Sequence, residues 1–95
     1  MAAYVIYECD ILDQQRYDEY KPKGAASVAA ANGRYLVRGG TVRTLEGDTP
    51  ASRTVVIEFP SMQAALDWYQ SEDYANARDI RKGAASTKLY IVDGI

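Results

Sequence analysis

Ninety-five residues make one domain, with room for one modest core and not two. Thirteen acidic against 11 basic side chains leave a net charge of −2, a field that draws in neither nucleic acid nor an anionic membrane surface. A single cysteine, Cys9, excludes an internal disulfide framework and a cysteine zinc cluster, and the absence of histidine removes the commonest general base near neutral pH. No apolar run approaches the roughly 18 residues of a membrane span. Met1-Ala2-Ala3-Tyr4 lacks the charged start and apolar stretch of a signal peptide, so a soluble, cytoplasmic protein is expected.

In chain order, Ala3–Cys9 (AYVIYEC) is rich in β-branched and aromatic residues and predicts a first strand. Asp13 is placed to cap a helix that carries Tyr17 and Tyr20, then Ala25, Val28 and Ala29, on one stripe. Pro22 lacks a donor and crowds the preceding turn, which predicts a kink there or a restart with Pro22 in the first turn. Asn32-Gly33 tolerates the left-handed conformation that closes a helix. Strands are then expected over Arg34–Gly39 and Arg53–Phe59, separated by a loop punctuated with Gly39-Gly40, Gly47-Asp48 and Pro50. Pro60 ends the third strand, and Ser61 caps a short helix with Met62, Ala65, Leu66 and Tyr69 on one face. Ser71 is a second cap, with Glu72 and Asp73 in the first turn and Arg78, Arg81 and Lys82 in the last, as the helix dipole prefers. Thr87–Val92 predicts the fourth strand.

This order is the split βαβ, or ferredoxin-like, pattern of a single α+β domain over residues 1–95. Right-handed crossovers put strands one and three at the centre of a four-stranded antiparallel sheet of order 4-1-3-2. A symmetric hairpin sets Leu36 opposite Val56, Arg34 opposite Glu58 and Arg38 opposite Thr54. Alternation then sends Val5, Tyr7, Tyr35, Val37, Val55, Ile57, Phe59, Leu89 and Ile91 to the helix-covered face. The other face collects Tyr4, Ile6, Leu36, Val56, Tyr90 and Val92, rimmed by Glu8, Arg34, Arg38, Glu58 and Lys88. An apolar centre inside a charged rim is the anatomy of an interface, so a two-fold homodimer packed through the helix-free sheet face is expected.

The segments RYLVRGG, LEGD, RTVVIEFPS, ALDWY and SEDY, in this order, resemble the family catalogued as domain of unknown function 1330, over Tyr4 to Gly94. That family in turn resembles the dimeric α+β barrel group, in which two ferredoxin-like subunits pack sheet against sheet. The resemblance implies an architecture and carries no mechanism. Haem-degrading and haem-peroxidase members of the barrel group use a histidine, which this chain lacks.

No loop has the dense acidic spacing of a hard-cation site, and Gly39-Gly40 is followed by neither a lysine nor a helix start, so neither a metal nor a cofactor is expected. Arg38 could clamp a carboxylate, or form a rim ion pair with Glu58. Glu58, among apolar residues, could become a base if buried, or pair with Arg34 or Arg38. Trp68, Tyr69, Tyr74 and Tyr7 could wall an aromatic pocket, or pack as core. Cys9 has no basic neighbour and reads as an inert small hydrophobe. Two functions fit these residues, beside the reading of a purely structural dimer. One is a homodimeric module binding an anionic or aromatic metabolite, anchored by Arg38. The other is a cofactor-independent isomerase or monooxygenase, with Glu58 as base and Arg38 as oxyanion stabiliser.

Overall fold

The computed structural model describes all of residues 1–95. The elements are β1 (Ala3–Ile11), α1 (Gln14–Ala30), β2 (Arg34–Arg38), β3 (Arg53–Phe59), α2 (Met62–Gln70), α3 (Glu72–Arg81) and β4 (Ala85–Asp93). All strand pairs are antiparallel and the sheet runs β2-β3-β1-β4, the ferredoxin-like order expected from the chain. No helix is long and apolar enough to cross a membrane.

The helix ends follow their sequence signals. The Asp13 carboxylate accepts from the Arg16 N–H at 3.2 Å, and the Ser61 and Ser71 hydroxyls accept from Ala64 at 3.0 Å and Tyr74 at 3.2 Å. Asn32 takes φ 61° just past α1, where the Gly33 N–H reaches back to the Val28 carbonyl at 2.9 Å. Two expectations for the helices need correction. α1 does not restart at Pro22 but runs through it as one helix, because Tyr17 and Tyr20 before it and Gly24, Ser27 and Val28 after it are buried on one stripe, while Ala29 is exposed. Burial along that stripe outweighs the roughly 3 kcal/mol that an internal proline costs. In α2 the face expected at Met62, Ala65, Leu66 and Tyr69 is kept only in part: Ala65 is buried and Tyr69 packs against the core, but Leu66 is left 37% exposed and Trp68 takes the inward position. The indole is the larger apolar surface and takes the core position.

Alternation holds along β1 and β3. Val5, Tyr7, Cys9, Val55, Ile57 and Phe59 face the helices and pack against Tyr17, Tyr20, Val28, Ala65, Trp68, Tyr74 and Ala77. It fails along β2. Arg34 stands opposite Glu58 and Tyr35 opposite Ile57 as expected, but a bulge at Leu36 then sets Val37 opposite Val56 and Arg38 opposite Val55. Val37 therefore joins the helix-free face, and Arg38 leaves that face for the helix side. The helix-free face now presents Tyr4, Ile6, Val37, Val56, Tyr90 and Val92, of which Val37, Tyr90 and Val92 are 41–47% exposed in the single chain.

Candidate ligand-binding site

The bulge in β2 builds the site. It lifts Arg38 onto the side of Tyr35, so that the guanidinium carbon sits 4.5 Å from the phenol ring centre. Arg53, two residues before Val55 on β3, points to the same side, with its guanidinium carbon 5.8 Å from the Tyr17 ring centre. Between the β2–β3 edge and the helices lies a small cavity lined by these two arginines, Lys21, Val55, Ile57, Trp68 and five tyrosines: Tyr7, Tyr17, Tyr20, Tyr35 and Tyr74. Its free volume is about 30 Å³, against the roughly 10–15 Å³ that one water needs, so a guest larger than a small polar head group must move side chains at the mouth, where Arg38 is exposed.

The phenols are tied in pairs. Tyr7 and Tyr17 share a hydrogen bond at 3.1 Å, Tyr20 and Tyr74 one at 2.9 Å, and the buried Cys9 thiol donates to the Tyr17 oxygen at 3.6 Å. Burial pushes Tyr7, Tyr17, Tyr20 and Tyr35 above the ordinary phenol range, and for Tyr7 the hydrogen bond with Tyr17 adds to it. These four side chains are thus neutral hydroxyls near pH 7, able to donate hydrogen bonds and unable to act as tyrosinate bases. No carboxylate lines the cavity, and the ion pairs of the chain, Lys21–Asp18 at 3.3 Å and Arg34–Glu58 at 2.9 Å, leave Arg38 and Arg53 without an acidic partner. Such a lining suits a guest with an aromatic face and a negative charge.

The raised phenols carry a consequence for stability. Unfolded tyrosines ionise near pH 10 while the folded ones hold their protons, so the unfolded state sheds protons that the folded state keeps. Their contribution is fully present below about pH 10 and is lost as pH rises beyond it, by up to about 1.4 kcal/mol per pH unit for each phenol. Urea midpoints are expected to drop steeply above pH 10, with absorbance of these tyrosinates growing only as the protein unfolds. Ionisation of all eight tyrosines near pH 10 with near-ultraviolet dichroism intact would contradict this.

Of the residues singled out from sequence, Arg38, Tyr7, Trp68 and Tyr74 meet at the cavity and Tyr69 does not. Tyr69 lies outside it under Arg78, whose guanidinium carbon is 4.3 Å from the ring centre and whose Nη1 donates to the phenol oxygen at 3.2 Å. Glu58 faces the other way. It sits beside Tyr4 on the helix-free face, where Arg34 Nη2 donates to Oε1 at 2.9 Å. The structure does not bring Glu58 and Arg38 together, because the extra residue at Leu36 sends Arg38 through to the opposite side of the sheet.

The profile of a domain of unknown function, DUF1330, matches residues 2–95. The chain belongs to the DUF1330 family. No curated protein matches the chain in sequence. Among solved structures, this DUF1330 domain is similar to RPA0582, a protein of unknown function from Rhodopseudomonas palustris, with TM-score 0.78 and 15% identity over 99% of this chain and 82% of that one. It is also similar to a dimeric protein of unknown function with a ferredoxin-like fold from Bacteroides fragilis, with TM-score 0.66 and 12% identity over 98% and 96% of the two chains. SnoaB, a cofactor-independent oxygenase from Streptomyces nogalater, aligns with TM-score 0.64 and 10% identity over 99% and 93%. At these identities the likeness is one of fold.

Sequence reasoning passed over Arg53, Lys21 and Tyr35 as site residues of the DUF1330 chain. For Arg53 a signal existed: it precedes Val55 by two, and the period of a strand puts both side chains on the helix side. Tyr17 and Tyr20 were visible as a helical stripe, but a stripe has the same spacing whether it fills a core or walls a cavity.

Proposed function

We propose that this chain is a small-molecule-binding module for an anionic aromatic metabolite, held at the tyrosine-lined cavity, and that it works as a homodimer closed through the helix-free sheet face. The observation that carries the reading is a cavity with cationic side chains and neutral phenols in its wall and no carboxylate to satisfy them. The dimer is supported by the apolar centre of the free sheet face and by the dimeric Bacteroides fragilis protein of the same fold. The alternative, a cofactor-independent isomerase or monooxygenase, draws on the fold it shares with SnoaB. Its base would be Glu58, which Arg34 already engages across the sheet from the cavity, and no other acid or histidine lines the site. The binding module needs no base.

The test is a thermal-shift panel of aromatic carboxylates, phenols and their neutral amides. A ligand at about 100 times its Kd contributes about 2.7 kcal/mol, a rise on the order of 10 °C for a domain of this size. The expected result is a shift with aromatic acids that Arg38→Ala abolishes. No shift with any of them at millimolar concentration would overturn the reading.

A further inference from the structure

We propose that Arg53, seated on Gly39, forms with Arg38 a carboxylate-recognising subsite at the mouth of the cavity, which makes the ligand class small aromatic monocarboxylates. The inference rests on the binding reading above and adds to it the atoms that select the ligand.

Arg38 stands opposite Val55, and Arg53 lies two residues along the same face of β3, so the two arginines are diagonal neighbours across the edge hairpin. Like charges in that relation repel, and neither arginine makes an ion pair. Tyr35 and Tyr17 lend their ring faces, which hold the guanidinium groups without neutralising them. Arg53 Nε is buried with no hydrogen-bond partner. A planar anion with two oxygens matches the fork of an arginine, supplies the missing acceptor and offsets the repulsion. A carboxylate meets that description. The free volume of about 30 Å³ admits such a head group and little more, which leaves the ring at the mouth beside Tyr35.

Gly39 is the positioning residue. Its φ of +75° lies in the left-handed region, its N–H donates to the Thr54 carbonyl at 2.9 Å, and a Cβ there would collide with Arg53 Nη1 and lie 3.0 Å from Cζ. The bare backbone leaves room for Arg53 Nη1 against the turn. Arg38-Gly39 thus supplies one arginine and the gap that seats the other.

The experiment is calorimetric titration of the full chain with benzoate and 4-hydroxybenzoate, with benzamide as the uncharged counterpart and inorganic phosphate as a competitor. The benzoates are expected to bind more weakly as salt rises, benzamide at least about tenfold more weakly than benzoate, and phosphate not to displace them. Arg53→Gln is expected to lower benzoate affinity by about 10- to 100-fold with benzamide unchanged, since a bond to a charged group is lost. Arg53→Lys keeps the charge without the fork and recovers only part of the loss; it also serves if Arg53→Gln does not fold. Gly39→Asn tolerates positive φ yet adds the Cβ, so it should lower benzoate affinity in the parent chain and have no further effect in the Arg53→Gln background. Benzoate binding that Arg53→Gln leaves intact, while Arg38→Ala still abolishes it, would overturn the subsite and leave the binding module standing. Phosphate displacing benzoate would overturn the carboxylate class. No binding of benzoates or benzamide removes the module and the subsite together.

Discussion

Trp68→Ala is expected to cost about 3–5 kcal/mol of folding stability, against the roughly 5–15 kcal/mol that a domain holds in total. The indole is 2% exposed and stands where sheet and helices converge. Its ring centre is 4.1 Å from that of Tyr74 and 5.3 Å from that of Phe59, and Nε1 donates to the Ser27 hydroxyl at 3.1 Å. Truncation removes both stacking partners at once and leaves a void that the packed rings around it cannot fill by moving. Trp68→Phe separates ring from hydrogen bond. It retains an aromatic surface, and Ser27 still donates to the Gly24 carbonyl at 2.7 Å, so the loss should fall to about 1–2 kcal/mol. Urea unfolding followed by far-ultraviolet dichroism measures both. A cost below about 1 kcal/mol for Trp68→Ala would show that the aromatic cluster is not what holds the two crossover units to the sheet.

Val56→Asp is expected to turn the proposed homodimer into a folded monomer. Val56 is flanked in register by Ile6 and Val37, at the centre of the helix-free face. In a single chain that face meets water, so a carboxylate there stays solvated and the fold tolerates it. Against a second copy the same carboxylate is stripped of water with no cation opposite, a penalty of several kcal/mol that is paid twice across a two-fold axis. Light scattering at micromolar concentration should give twice 10.5 kDa for the parent chain and 10.5 kDa for the variant, with unchanged dichroism. A parent chain of single mass, or a variant of double mass, would remove the helix-free face as the contact.

The parts of this fold that are legible in the chain are those where one physical signal has no rival. Strand β3 is bounded as expected at Arg53 and Phe59, because alternation starts at the first and Pro60 stops it after the second. The caps at Asp13, Ser61 and Ser71 pair a short polar side chain with an orphan N–H, a purely local matter. Pro22 is different. Its local cost is visible and the buried stripe that overrides it is not. Residues Ala85 and Ser86 have little strand propensity of their own, and join β4 because Ile11 and Asp10 of the central strand pair with them. In the Tyr35-Leu36-Val37 run both sides of the strand are apolar, so the pattern is satisfied in either register and does not reveal a bulge. The site inherits that blindness: its aromatic members could be named, while the face taken by Arg38 could not.

The extra residue at Leu36 joins two properties that are otherwise separate. Upstream of it, Arg34 still meets Glu58 on the outer side; downstream, hydrophobic Val37 is delivered to the outer side and cationic Arg38 to the inner. Regular pairing of Leu36 with Val56 would exchange the last two, setting Val37 opposite Val55 and Arg38 opposite Thr54, and so placing a charge among the exposed valines and withdrawing it from the tyrosines. The proposed self-contact and the proposed guest site therefore cannot drift independently in this chain, since a single step of strand phase sets both.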